Sequence, residues 1–167
     1  MYEKLSSLKK RLQQMKQNRT TRQNGQTFHF SPFSKKQKQV LTWWCKESPV
    51  HDKDGIIADG AIRSGKTVSM SLSFVMWAMS GFAGQNFAMC GKTIGSFRRN
   101  VLFWLKLMLR SRGYSITDHR ADNLVVVRKN SIENYFYIFG GKDERSQDLI
   151  QGITLAGVFF DEVALMP

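Results

Sequence analysis

Apolar side chains recur at three- and four-residue steps in some stretches of this chain and form short unbroken runs in others, so helices and buried strands are expected to alternate. Leu5, Leu8, Leu12 and Met15 keep helical spacing with Lys and Arg between them, which predicts an amphipathic basic helix. Residues 17–27 are polar and unpatterned and read as a linker, so residues 1–27 form an arm and the domain proper begins at Phe28. Ser34 is a candidate N-cap for a helix that turns Val40, Leu41 and Trp44 inward. Residues 55–59 read as a short buried strand, and Val68, Leu72, Val75, Met76 and Met79 then return to helical spacing. A second strand is expected at residues 86–90. A long amphipathic helix follows over 94–112, carrying Val101, Leu102, Leu105, Leu107, Met108 and Leu109 on one side, and Gly113 stops it.

The runs 124–128 and 135–139 are rich in β-formers and are joined by polar residues 129–134, the pattern of a hairpin. Residues 140–152 are turn-forming apart from Leu149 and Ile150. Residues 155–160 make a nearly continuous apolar run, as in a parallel strand buried on both faces, and Asp161 and Glu162 stand where it ends. Strands alternating with helices imply an α/β domain with a mostly parallel central sheet.

Composition narrows the class. The 167 residues, 42% hydrophobic and 23% charged, suit one soluble globular domain. The formal charge of +12 is high for that length, and half of it lies in residues 1–24, where seven Lys/Arg oppose Glu3 alone. Such a surplus suits a polyanionic partner, although a solvated basic tail accounts for the same residues. Cys45 and Cys90 have neither metal-binding nor redox spacing and read as small buried hydrophobes in a reducing compartment. The uncharged run 67–91 is broken by Ser, Gly, Gln and Asn and reads as a buried helix, a turn and a strand, not as a membrane span.

One stretch carries specific chemistry. Gly60, Ala61, Ile62, Arg63, Ser64, Gly65, Lys66 and Thr67 match G-x-x-x-x-G-K-[ST] at every position, between an expected strand and an expected helix. Glycines at both ends let successive N–H groups close around a nucleotide β-phosphate. Lys66 would neutralise phosphate oxygens, and the Thr67 hydroxyl would hold Mg2+. Asp161 is a second Mg2+ candidate, and Glu162 would orient or deprotonate the attacking water. Phe33 and Gln37 are a candidate pair for stacking on a purine and pairing with its edge, with ordinary core and surface roles as the alternative. The basic residues of 94–112 could meet a phosphate backbone or simply face water, and Arg145 is a weak candidate for a charge-stabilising finger.

The order of Phe33 and Gln37, the loop 60–67, the segment 140–143 and the stretch 150–163 resembles the large subunit of tailed-phage terminases, most closely the PBSX-like branch. The resemblance covers residues from about 28 onward. It implies a three-layer, additional-strand (ASCE-type) P-loop ATPase that uses ATP and Mg2+ to drive double-stranded DNA into a procapsid. Portal protein, the small terminase subunit and a separately encoded C-terminal half would be its partners, in the cytoplasm of a bacterial host and with no membrane. It further implies that Arg63 contacts the γ-phosphate, that Phe33 and Gln37 hold adenine, that Thr67 and Asp161 hold the metal, and that Lys66 and Glu162 serve hydrolysis. In the family the chain continues past the acid pair into further strands and a nuclease domain, which are absent from these 167 residues, so the ATPase domain is expected to be partial. A helicase-like P-loop ATPase and a non-hydrolysing remnant that binds DNA or an assembly partner are the competing readings.

Overall fold

The computed structural model describes residues 32–61, 63–141 and 152–162. The elements of the described residues all lie in the unit Phe33–Pro167. The expected basic arm, Ile62 and residues 142–151 of the turn-rich stretch, Arg145 among them, fall outside the described residues. Helix α1 is Lys35–Leu41, and Ser34 caps it as the sequence predicts, through a reciprocal pair with Gln37. The helix stops short of Trp44, and of the three residues expected inward Leu41 is buried while Val40 and Trp44 are half-buried. Helix α2, Lys66–Gly81, leads through a turn into strand β1, Asn86–Gly91.

The expected long helix is built in three parts: α3, Ile94–Phe97, a π-helical turn, Arg98–Leu102, and α4, Phe103–Arg110. All six apolar residues that marked it are buried. The wider π turn was not legible from spacing, because Phe97, Val101, Leu105 and Met108 keep three- and four-residue steps straight through it.

Strands β2, Ser115–His119, β3, Leu124–Lys129, β4, Ile132–Gly140, and β5, Gly157–Phe160, complete one sheet in the order β2-β3-β4-β1-β5. β1 runs parallel to β4 on one side and to β5 on the other. The β2–β3 and β3–β4 ladders are antiparallel, so the sheet is mixed and not mostly parallel as expected. The hairpin explains the difference. Its ladder continues to Lys129 opposite Ile132, which leaves a turn of Asn130 and Ser131 with Asn130 at φ 55°. So short a connection permits only antiparallel pairing. β2 was missed because Ile116 is its one aliphatic residue, and the strand alternates between exposed and half-buried positions.

Side chains alternate across the sheet as the pleat requires. Phe87, Met89, Phe136, Ile138 and Phe159 join Leu72, Val75, Leu105 and Met108 of the helices in the main core. Phe87 stacks on Phe136 with centroids 5.2 Å apart, and Phe74 of α2 meets both rings edge-on. On the opposite face Ala88, Cys90 and Phe139 form a smaller cluster with Tyr137 and Leu155, while Val158 and Phe160 are exposed.

The far end of α2 is fixed by Asn134, a fully buried residue of β4. Its Nδ2 donates to the carbonyls of Ala78 (3.1 Å) and Phe82 (2.9 Å), and its Oδ1 accepts from the Gln85 N–H (2.9 Å). This one amide satisfies backbone groups at a helix end, where intrahelical partners run out.

One expected strand does not form. Residues 55–59 have no strand partner among the described residues, and Ile57 is 96% exposed. An apolar run reports a preference for burial, whereas a strand also needs a neighbour for its N–H and C=O groups. None of the five strands pairs with it, and β5 pairs only with β1. Among the described residues no helix is long and apolar enough to cross a membrane.

Candidate nucleotide site

The site is assembled where α2 begins and β5 ends. Asp161 directly follows β5, and its N–H donates to the Cys90 carbonyl at 2.8 Å, so the β1 ladder fixes the backbone that carries the carboxylate. Thr67 is the second residue of α2. Its Oγ1 donates to Asp161 Oδ1 at 2.8 Å, closing a contact across 94 residues of sequence. Glu162 comes next with φ 55°, a left-handed conformation that is costly for a residue with a Cβ and that turns the chain sharply after the strand.

The loop before α2 is shaped by two more left-handed residues, Arg63 (φ 62°) and Gly65 (φ 80°), with Gly60 at φ 148°. Gly65 is the N-cap of α2 and has no side chain with which to cap the first N–H groups of the helix. Lys66 Nζ donates to the carbonyls of Gly60 (2.6 Å) and Ala61 (2.7 Å), folding the ammonium into the curve of its own loop. The Gly60 N–H donates to Asp59 Oδ1 at 2.7 Å. Arg63 and Ser64 are exposed, and Ile62 lies outside the described residues.

Gln37 is drawn in from α1. Its Nε2 donates to the Ser64 carbonyl at 2.9 Å while its Oε1 accepts from the Ser34 N–H at 2.9 Å. Phe33 is half-buried and packs against the main core. The structure therefore brings Gln37, the loop, Lys66, Thr67 and Asp161 into one connected set, and it gives the Phe33 ring a packing role of its own.

Electrostatics single out Asp161. Burial pushes its carboxyl above the usual aspartate range and the charge of Glu162 adds to that, while the Thr67 hydrogen bond works the other way. A half-buried carboxylate beside a second carboxylate is a site that a cation would stabilise. The donors, a hydroxyl and a carboxylate, are the hard oxygens that Mg2+ takes, so the residues fit that ion. Among the described residues no cluster of three or more His, Cys, Asp or Glu side chains could hold a metal without further ligands.

A second charged feature lies over the π turn. Gly95, Arg98, Arg99, Lys106, Asp118 and Arg120 are among the residues lining a groove of about 490 Å³. Asp118 accepts from Arg98 at 2.8 Å and from Lys106 at 2.7 Å. Burial would raise its carboxyl, but these two cations outweigh it and hold the group below its ordinary value. The helical part of this cluster was legible as a basic face. Asp118 and Arg120 were not, because they belong to β2 and the turn after it.

No protein-family model matches the chain, and no curated protein matches it. Solved structures do. A large terminase from a thermophilic bacteriophage is 69% identical with a TM-score of 0.80, over 82% of this chain and 34% of that one. This chain belongs to the phage large-terminase family. The same terminase solved with ADP matches at 68% identity and TM-score 0.77, over 81% of this chain and 33% of that one. Its complex with ATP-γ-S matches at 65% identity and TM-score 0.75, over 81% and 32%. The chain thus spans about a third of the length of the terminases it matches.

Proposed function

We propose that this chain is the ATP-binding and hydrolysing part of a phage DNA-packaging motor, with the additional-strand P-loop ATPase fold. The observation that carries the reading is the 2.8 Å bond from Thr67 to Asp161, which joins the first turn of α2 to the acid at the end of β5. A phosphate loop, a helix N-terminus without a side-chain cap and a paired hydroxyl and carboxylate are the parts that a Mg2+-bound triphosphate requires. The ATP-γ-S and ADP complexes of the thermophilic phage terminase support the same assignment.

The residues divide the work as follows. Backbone N–H groups of residues 60–67 and the ammonium of Lys66 receive the phosphates, which replace the Gly60 and Ala61 carbonyls as partners of Nζ. Thr67 and Asp161 would hold Mg2+, which would supply neutralising charge beside the phosphates. Glu162 orients and deprotonates water, a contribution of about 10²–10⁴-fold. Arg63 contacts the γ-phosphate, and Phe33 and Gln37 receive adenine. The groove with Arg98, Arg99, Lys106 and Arg120 is the candidate contact for double-stranded DNA, where the exposed Arg99 and Arg120 add charge that Asp118 does not neutralise.

Translocation of DNA into a procapsid at the portal, partnership with the small subunit and a separately encoded C-terminal half, membership of the PBSX-like branch and action in the host cytoplasm complete the proposal. The identity to terminases favours it over a helicase-like ATPase. A second reading, in which the chain binds nucleotide or DNA without turnover by itself, is favoured by one observation, the unpaired and exposed segment leading into the loop. Turnover of Mg-ATP by the purified chain, abolished in Lys66→Ala and reduced at least about a hundredfold in Glu162→Gln, supports the ATPase. Nucleotide binding without turnover supports the second reading.

A further inference from the structure

We infer that Gln37 is a positioning residue that sets the shape of the phosphate loop, beyond any contact with a base. This rests on the proposed nucleotide site and deepens it. The side-chain amide spans two elements. Oε1 is committed to the Ser34 N–H of the α1 capping box and Nε2 to the Ser64 carbonyl within the loop, both at 2.9 Å. α1 is in turn tied to α2, since Ser73 Oγ donates to the Val40 carbonyl at 2.7 Å and Leu41 is buried in the main core. The Ser64 carbonyl is therefore held by a strut anchored on the body of the domain.

The strut matters because of where it lands. Ser64 lies between Arg63 and Gly65, both left-handed, and such a conformation persists only where its surroundings impose it. Fixing the Ser64 carbonyl outward fixes the peptide plane that it shares with Gly65, and so the direction of the Gly65 N–H. Gly65 is left-handed at φ 80°, where a side chain is strained, and a Cβ on it would lie 2.5 Å from Gln37 Nε2, so the amide would have to leave the Ser64 carbonyl. One amide thus accounts for a loop carbonyl, a loop N–H and a glycine, none of which involves a nucleobase.

A base-free ligand separates positioning from base recognition. Binding of inorganic tripolyphosphate and of ATP to the full chain is measured by titration calorimetry for wild type, Gln37→Met and Ser34→Ala, with Lys66→Ala as the blank. Gln37→Met keeps length and neutrality but loses the amide, and it is expected to weaken tripolyphosphate about five- to tenfold and ATP at least as much. Ser34→Ala removes the hydroxyl half of the α1 cap without touching Ser64 and is expected to leave tripolyphosphate binding within about twofold of wild type. Unchanged tripolyphosphate affinity in a folded Gln37→Met overturns the inference and leaves Gln37 as a reader of the base. Equal losses in Gln37→Met and Ser34→Ala also overturn it, because fraying of α1 would then suffice. Should Gln37→Met fail to fold, Gln37→Ala is measured to the same criteria. A wild-type chain that binds neither ligand overturns the nucleotide reading itself, a result distinct from both.

Discussion

Replacing Asn134 by Ala should unlock the end of α2 farthest from Gly65 and Lys66. The wild-type amide is fully buried and makes three hydrogen bonds to backbone groups of Ala78, Phe82 and Gln85. Ala78 retains another donor, the Phe82 N–H at 3.2 Å, so the heavier losses fall on the Phe82 carbonyl and the Gln85 N–H. At about 1 kcal/mol for each bond, with a small cavity added, the variant should lose roughly 3–4 kcal/mol. For a chain of this size that corresponds to a fall of roughly 10 °C in the melting temperature, read by circular dichroism. Asn134→Asp refines the test. It keeps an acceptor for Gln85 but offers the two carbonyls no donor while ionised, so at neutral pH it should melt below the Ala variant. On acidification the protonated carboxyl regains one donor, and the gap should narrow. A loss of less than about 3 °C in Asn134→Ala would refute the reasoning, because the three bonds could not then be anchoring the helix.

Gly91→Ala should cost about 2 kcal/mol in a denaturant titration, because the new Cβ would lie 2.7 Å from Cδ2 of Phe97, a ring buried too deeply to yield. Asp161→Asn should raise the melting temperature at neutral pH, by about 0.5–1 kcal/mol in stability, while it abolishes turnover. The sign follows from burial: the folded state holds the Asp161 proton more tightly than the unfolded chain, so the penalty is full above the raised folded value. The advantage of the Asn variant should therefore shrink as pH falls toward the ordinary 3.8, which paired thermal scans would show. Asp118 behaves oppositely. Its contribution is present above its ordinary value and is lost as pH falls through its lowered folded value, so Asp118→Asn should destabilise by about 2 kcal/mol at pH 7 and by progressively less in acid. Reversing Arg99 and Arg120 to Glu should weaken duplex DNA binding and flatten its dependence on salt concentration. An unchanged slope in a fluorescence titration would remove the groove from the DNA contact.

Most of the core was legible because burial and period coincide in it. The stripe from Val68 to Met79, the run 86–90 and the hairpin were found from spacing, and each packs into the core or the sheet where expected. Three features were hidden for physical reasons. β2 is an edge strand with little apolar content, held by hydrogen bonds to β3 that leave no hydrophobic signature. The π turn changes helical register without changing composition. Residues 55–59 mislead in the other direction, since Ile56 and Ile57 invite burial that no neighbouring strand provides. At the candidate site the loop motif named Lys66 and Thr67, the acid pair at the end of an apolar run named Asp161, and the structure joins Thr67 to Asp161. The tie from Gln37 to Ser64 could not be read from sequence, because it ends on a backbone carbonyl.

The account depends on Thr67 and Asp161 serving one metal-bound nucleotide, and the direct measurement is the Mg2+ dependence of ATP affinity in wild type, Thr67→Val, Asp161→Asn and the double variant. Mg2+ should tighten ATP binding to the wild type and do so in neither single variant, with the double variant no worse than either. If Mg2+ tightened ATP equally in all four proteins, the two residues would not share an ion and the site would have to be drawn elsewhere.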